Sequence, residues 1–227
     1  FKCPDVDVLN YDINPDLCSE GVSRLSDLFR ADIIFVCLPT PMEKDGSCHT
    51  GIVKKAIEDI RAGGYRGSIV VRSTVPVGFC DENLVSFMPE FLTEANWAQD
   101  FKTNRVWIVS GNNIDTTRLK TLIGLAFDNS VIDTNLVDCL TNKEAELLKY
   151  TRNCFLATKV SFFNEIYQFC QAVNVDYNKL MVSVLKDSRI NTSHTKVPGP
   201  DGNTGRSGAC LVKDMFALSC QMKDAGT

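Results

Sequence analysis

The residue best placed for covalent chemistry is Cys210, which follows the glycine-rich stretch Gly205-Arg-Ser-Gly208 and opens the helical run Cys210-Leu-Val-Lys-Asp214. Backbone N–H groups and the helix dipole at such a position favour a thiolate, the nucleophilic form of cysteine. Lys213 and Asp214 lie within one turn of it, supplying a cation and a group able to transfer a proton. The other reading, a buried cysteine at a helix N-terminus, is disfavoured by the loop composition and the adjacent charges. Lys149 and Asn153 are four residues apart in a helical pattern and share a face. A lysine and an amide projected together suit the stabilisation of a developing oxyanion; a solvated lysine is the plainer alternative. Glu90 and Glu94, in Pro89-Glu-Phe-Leu-Thr-Glu94, are also four apart. In a helix or tight turn both carboxylates can face one site and serve acid–base work, or they can simply cap a helix start.

These groups need elements to hold them. The first part of the chain alternates short apolar runs with helical patterns. Val6-Asp-Val-Leu-Asn-Tyr11 reads as a strand closed by Asp12, Ala31 to Leu38 as a buried strand, Thr50 to Ile60 as a helix ended by Gly63-Gly64, and Ser68-Ile-Val-Val71 as a second buried strand. A short strand near Val85 to Phe87, another over Arg105 to Val109, a helix over Thr116 to Phe127 and the β-rich run Ser130 to Asp133 follow. Unbroken apolar strands alternating with helices imply a parallel sheet covered on both faces, a doubly wound, Rossmann-like α/β domain. From Asn142 to about Asn174 the pattern is helical without Gly or Pro, a helix of unusual length. Val175-Asp176 breaks it and Asn178 to Leu185 resumes. An all-helical domain is therefore expected from a boundary near Asn135 onward, 1–134 being the sheet domain.

Ligands of open α/β sheets sit at the carboxyl ends of strands. Pro39-Thr40-Pro41 and Ser73-Thr74-Val75-Pro76 each follow a buried strand, so both are candidate cofactor or substrate contacts, or else proline-stiffened connections. An acid at the end of a second strand, here Asp12, accepts hydrogen bonds from the ribose of NAD and repels the extra phosphate of NADP; a solvated turn residue is the alternative. The opening at Phe1 and the close at Asp224-Ala-Gly-Thr227 suggest that material is missing at both ends, including a Gly-rich phosphate-binding turn.

Composition narrows the classes. With 227 residues, 44% of them hydrophobic, the chain can bury a sizeable core. A formal net charge of −4 with mixed signs gives no basic stripe, so nucleic acid is not an expected partner. No apolar run suits a membrane span, and no signal-peptide pattern opens the chain, so the cytosol is the default location. The ten cysteines fall singly and there are only two histidines, so neither a metal site nor a disulfide framework is expected.

Six stretches in order carry a resemblance. They are Cys37-Leu-Pro-Thr-Pro-Met42 with Asp45-Gly-Ser-Cys48, Arg72-Ser-Thr-Val-Pro-Val-Gly78, Met88-Pro-Glu-Phe-Leu-Thr-Glu-Ala95, Lys149-Tyr-Thr-Arg-Asn-Cys-Phe155, Arg189-Ile-Asn-Thr-Ser-His194, and Val197-Pro-Gly-Pro-Asp-Gly202 running into Cys210-Leu-Val-Lys-Asp214. Together they resemble the UDP-glucose/GDP-mannose dehydrogenase family, and within it the members that oxidise UDP-glucose. The resemblance implies an NAD-dependent four-electron oxidation of UDP-glucose to UDP-glucuronate, a step of nucleotide-sugar metabolism that feeds polysaccharide synthesis. It implies Cys210 as nucleophile through a thiohemiacetal and a thioester, Lys149 and Asn153 at the oxyanion, and Asp214 in proton transfer. Thr74 and Glu90 would place the water, with Asp12, Pro39, Thr40, Pro41, Thr74, Glu94 and Lys213 about the cofactor. Glu90, Phe91, Leu92, Lys149, Asn153, Arg189, His194, Gly205 and Arg206 would line the UDP-sugar site, and the long helix would form a homodimer core. A C-terminal UDP-binding domain is expected beyond Thr227. Two departures stand out: Gly205-Arg206-Ser207-Gly208 replaces the family's Gly-Phe-Gly-Gly, and Leu211-Val212 replaces Phe-x. A dehydrogenase of another nucleotide sugar, such as UDP-N-acetylmannosamine, and a non-catalytic dinucleotide- or partner-binding derivative are the competing readings.

Overall fold

The structure is a computed structural model that describes every residue except 94, 200, 201, 203 and 205–208, and, beyond backbone, 209 and 210. The chain divides into two compact units. One comprises Phe1–Glu43 and Cys48–Lys149, the other Lys44–Ser47 and Tyr150–Thr227.

The first unit is built on a five-stranded sheet in the order β1 (Ile33–Val36), β2 (Ser68–Val71), β3 (Ser86–Phe87), β4 (Trp107–Ser110) and β5 (Val137–Leu140). All neighbours are parallel except the β3–β4 pair. Four-residue strands with every side chain buried, as in β2 and β4, require cover on both faces. One face, carrying Ile34, Ile69, Val71 and Ile108, packs against Val53, Ile57 and Ile60 of helix α1 (Gly51–Ala62). The other, carrying Val70, Trp107 and Val109, packs against Leu119, Ile123 and Ala126 of α4 (Asn113–Asp128). The expected Rossmann-like α/β architecture is thus present, with the short helices α2 (Phe79–Glu82) and α3 (Trp97–Lys102) flanking β3.

Two expected strands are corrected. Val6 to Tyr11 has no ladder partner among the described residues and makes only local bonds: Asn10 is tied to Ser19 through Ser19 N–H to Asn10 O at 2.8 Å and Asn10 N–H to Ser19 Oγ at 2.7 Å. Asp12 therefore ends no strand, and its carboxylate accepts the Asn14 N–H at 2.8 Å in a tight turn. Ser130 to Asp133 is also irregular; its Ile132 is a buried plug, and β5 begins four residues later. The segment from Pro89 through Thr93 is irregular rather than helical.

The long helix is α5 (Asn142–Ala172), 31 residues. Its start is a reciprocal cap, Glu144 Oε2 accepting the Thr141 N–H at 2.8 Å and Thr141 Oγ1 the Glu144 N–H. Its first two turns belong to the first unit and carry buried polar groups. Asn142 accepts from Ser110 Oγ at 2.6 Å and donates to Asp81 at 2.8 Å and Val85 O at 3.1 Å. Glu146, 1% exposed, accepts the backbone N–H groups of Gly78 at 2.6 Å and Cys80 at 2.8 Å. In the second unit the remainder of α5 packs with α6 (Tyr177–Val184) around a core of Phe163, Cys170, Tyr177, Met181 and Val197, and α7 (Ala209–Asp224) meets α5 through Asp214 and Asn153.

Removing one partner of a buried hydrogen bond costs more than the bond itself contributes, so Glu146→Ala should lower stability by about 2–3 kcal/mol and Glu146→Gln by about 1 kcal/mol in urea titrations. Burial holds the Glu146 carboxyl above the ordinary glutamate value despite the two N–H donors. The protonated form therefore favours the fold: the Glu146→Gln deficit is largest at low pH and narrows as pH rises through the folded value. Gly111, at φ 128°, ends β4 so close to Ser86 that a Cβ there would lie 1.9 Å from Ser86 Oγ. Gly111→Ala should cost about 2–3 kcal/mol through overpacking and left-handed strain, read as a lower thermal midpoint.

Candidate active site

The carboxyl ends of β1 and β2 carry the two proline turns. Ser73 Oγ donates to Leu38 O at 2.6 Å, and Arg72 N–H to Val36 O at 2.9 Å, so the turns are locked side by side. Cys48 Sγ donates to Thr74 O at 3.5 Å and the His49 N–H to Pro41 O at 2.8 Å. Pro39, Thr40, Pro41 and Thr74 thus occupy one edge of the sheet, where an open α/β fold receives a dinucleotide.

Beyond β3, Glu90 folds its carboxylate back onto the Leu92 N–H at 2.9 Å and also meets the Lys149 ammonium at 2.9 Å. Lys149, with a side chain only 3% exposed, further donates to Glu90 O at 3.2 Å. Burial raises the Glu90 carboxyl, but Lys149, the Leu92 N–H and Arg72 outweigh it and hold it below the ordinary glutamate range. Arg72 went unassigned in the sequence. Its guanidinium lies 5.9 Å from the Phe35 ring centre, and its Nη1 is buried with no hydrogen-bond partner among the described residues. Arg72, Pro89, Glu90, Phe91 and Leu92 line a cavity of about 20 Å³, on the order of one water. A charge directly after the apolar run Ile69-Val70-Val71 was the available signal for Arg72. Phe91 packs into the core of this unit.

The second unit holds another cluster. Asp214, 0% exposed, accepts from Asn153 Nδ2 at 2.6 Å and from Lys213 Nζ at 2.7 Å. Cys210 is the second residue of α7, four residues before Asp214 and hence on the same helical face. Burial pushes the thiols of Cys37, Cys80 and Cys154 up, aided at Cys154 by the Asp214 carboxylate, so none of these three is a ready thiolate. Arg189 is exposed and forks onto Asp187, with contacts of 2.6–3.2 Å. His194 bonds Ser193 Oγ, and burial together with Lys159 lowers its imidazole. Glu94, Gly205, Arg206, Ser207 and the Cys210 side chain lie outside the described residues. Among the described residues no group of three or more His, Cys, Asp or Glu could hold a metal ion, and no helix is long and apolar enough to cross a membrane.

Comparison with known proteins also divides the chain in two. Residues 22–124 match the NAD binding domain of the UDP-glucose/GDP-mannose dehydrogenase family, and 143–227 its central domain. The chain is 33% identical over 212 residues to the UDP-glucose 6-dehydrogenase TuaD of Bacillus subtilis, covering 86% of this chain and 43% of that protein. It is 29% identical over 211 residues to a UDP-glucose 6-dehydrogenase of Rickettsia bellii, covering 87% and 46%. A UDP-glucose dehydrogenase structure from Pyrobaculum islandicum superposes with a TM-score of 0.76 at 26% identity, over 90% of this chain and 49% of that one. A GDP-mannose dehydrogenase from Pseudomonas aeruginosa gives 0.63 at 26%, over 87% and 48%. The chain spans about half the length of these relatives. The matched domain binds NAD, and the strand-end turns lie at the sheet edge where an open α/β fold receives a dinucleotide. With a doubly wound sheet, a long following helix and both domain profiles matched in order, the chain belongs to the UDP-glucose/GDP-mannose dehydrogenase family.

Proposed function

We propose that the protein of which this chain is part oxidises UDP-glucose at the sugar C6 carbon to UDP-glucuronate, with Cys210 as nucleophile. The observation that carries this reading is the wholly buried Asp214, clamped by Lys213 and Asn153 one helical turn after Cys210. NAD, when bound along Pro39–Pro41 and Thr74, with Asp12, Glu94 and Lys213 as further contacts, accepts the hydride in each of two oxidations. The Cys210 thiolate adds to the C6 aldehyde, forming a C–S bond and an alkoxide that Lys149 and Asn153 stabilise. After the second oxidation the centre is a thioester. Water held by Glu90 and Thr74 adds to its carbon, the C–S bond breaks, and the thiol departs with a proton relayed by Asp214. The balance is CH₂OH + 2 NAD⁺ + H₂O → COO⁻ + 2 NADH + 3 H⁺. The cavity between Arg72 and Glu90 supports the water's place in this scheme. Phe91, Leu92, Arg189, His194, Gly205 and Arg206 are assigned to the sugar nucleotide; Arg189 would exchange Asp187 for a diphosphate.

The equal identity to a GDP-mannose dehydrogenase keeps a second reading in view, oxidation of another nucleotide sugar by the same chemistry. The partner we propose for the long helix is a second copy. Phe155, Phe162 and Phe169 recur every seven residues along α5 and are 58–66% exposed, an apolar seam of the kind that pairs helices.

The complete gene product with a limiting amount of UDP-glucose should form two NADH per sugar. Signal only with another nucleotide sugar would move the substrate and keep the chemistry; silence with all of them would favour a non-catalytic binding protein. Cys210→Ser should lower turnover by about 10³-fold or more with UDP-sugar binding retained, and Asp214→Asn by about 10²-fold. Normal turnover in Cys210→Ser would sink the covalent route. Phe155→Glu/Phe162→Glu should halve the mass seen by light scattering, and an unchanged mass would place the dimer contact elsewhere.

A further inference from the structure

Three arginines of the first unit surround an open cleft of about 360 Å³ that no part of the proposed reaction uses. Arg61 comes from the last turn of α1, Arg66 from the connection into β2, and Arg118 from the second turn of α4. The cleft lies where β2 and β3 begin and β4 ends, so it occupies the opposite edge of the sheet from the turns at Pro39–Pro41 and Thr74. Its lip is apolar, formed by Leu84 and Ile114, both well exposed, above a floor of Tyr65 and Ile69.

The charges there are not neutralised. None of the three arginines forms an ion pair among the described residues. Arg61 donates to Leu84 O at 2.7 Å, Arg66 to its neighbour Tyr65 O at 3.3 Å, and Arg118 to Ser68 Oγ at 2.9 Å. Each guanidinium has five donors, so most of this capacity remains for something else. Asp115 is the one carboxylate in the lining, and it is already engaged: Ser68 Oγ bonds one oxygen, while Ser86 Oγ at 2.6 Å and Asn112 Nδ2 at 2.9 Å bond the other. Arg118, Ser68 and Asp115 therefore form a chain that links the cleft to β2, β3 and the start of α4. The N-terminus of α4 itself is closed, because Asn112 Oδ1 already accepts the N–H groups of Ile114 and Asp115.

We propose that this cleft is a second binding site, for a diphosphate-bearing small molecule held by Arg61, Arg66 and Arg118. Planar forks converging on one space match the oxygens of two linked phosphates better than a single carboxylate. The volume is at the lower end of that of small-molecule sites, and the Leu84–Ile114 lip can cover an attached ring. Because Arg118 is bonded into the Asp115 chain, occupancy should stiffen the β2–β3–α4 corner and stabilise the unit. The proposal stands independently of the sugar substrate and of the Cys210 chemistry.

The test is calorimetric titration of the full chain with inorganic pyrophosphate at low salt, repeated with a nucleoside diphosphate and in the presence of saturating NADH. Pyrophosphate should bind without competition from NADH and raise the thermal midpoint. Arg66→Gln and Arg118→Gln should each weaken it about tenfold, Arg66→Lys should restore part of the loss, and the binding event that depends on Arg66 should persist in Arg189→Gln. Arg66 is exposed and bonds only its neighbour's carbonyl, so its variants test the idea even if Arg118→Gln fails to fold. Tighter binding of the nucleoside diphosphate, lost in Arg66→Gln, would assign the source to a nucleotide; equal binding would assign it to free pyrophosphate. No pyrophosphate binding, displacement by NADH, or unchanged affinity in both Arg66→Gln and Arg118→Gln would overturn the proposal.

Discussion

A carboxylate buried on a helix must be given donors, and the way Glu146 obtains them organises the first unit. Its two oxygens take the N–H groups of Gly78 and Cys80, closing the start of α2. The same face of α5 carries Asn142, Glu146, Lys149 and Asn153, spaced four, three and four residues apart. That spacing makes one polar stripe along the helix. Three members of the stripe are satisfied by first-unit partners: Ser110, Asp81 and Val85 for Asn142, backbone N–H groups for Glu146, and Glu90 for Lys149. With the helix so anchored, the position of Lys149 against Glu90 follows from the backbone and needs no flexible side-chain search.

Two carboxylates in these units are held in different ways. Glu90 is partly open to solvent, meets one cation and borders a cavity of water size. Asp214 is sealed from solvent and divided between an ammonium and an amide. A group at the edge of a cavity can exchange protons with what enters it, whereas a sealed one acts on its immediate neighbours. The difference comes from burial and partners and not from residue type.

The sheet was legible because strands buried on both faces carry unbroken apolar runs, as in Ile69–Val71 of β2 and Trp107–Val109 of β4. The long helix was legible because nothing in Asn142–Ala172 interrupts it. Val6–Tyr11 has strand-like composition yet no ladder partner among the described residues, and pairing is not a local property. β5 was missed because its residues Val137–Leu140 are only half buried at the sheet's edge, while the more apolar Val131-Ile132 serves as a plug. Of the site, the closeness of Lys213 and Asp214 was foreshadowed by their adjacency in one helical turn, whereas Asn153 and Asp214, 61 residues apart, were not paired in the sequence. The Glu90–Lys149 pair spans 59 residues, and no local pattern announces such a contact. The stripe on α5 was readable in principle, since four polar residues at helical intervals in a largely apolar helix need burial partners.

The division of the chain is not a single cut. Lys44–Ser47 sits within the first unit's sequence but packs with the second, where Gly46 lies against Phe216 and the Cys220 thiol reaches Asp45 O at 3.5 Å across 175 residues of sequence. So long a loop closes slowly, since its entropy cost is met before its contact forms. During synthesis the first unit can assemble its sheet early, but the four-residue excursion must wait for α7 to emerge. A version of this protein severed between Lys149 and Tyr150 would therefore yield one piece that holds all of its own unit and four residues of the other, and a second piece that lacks those four.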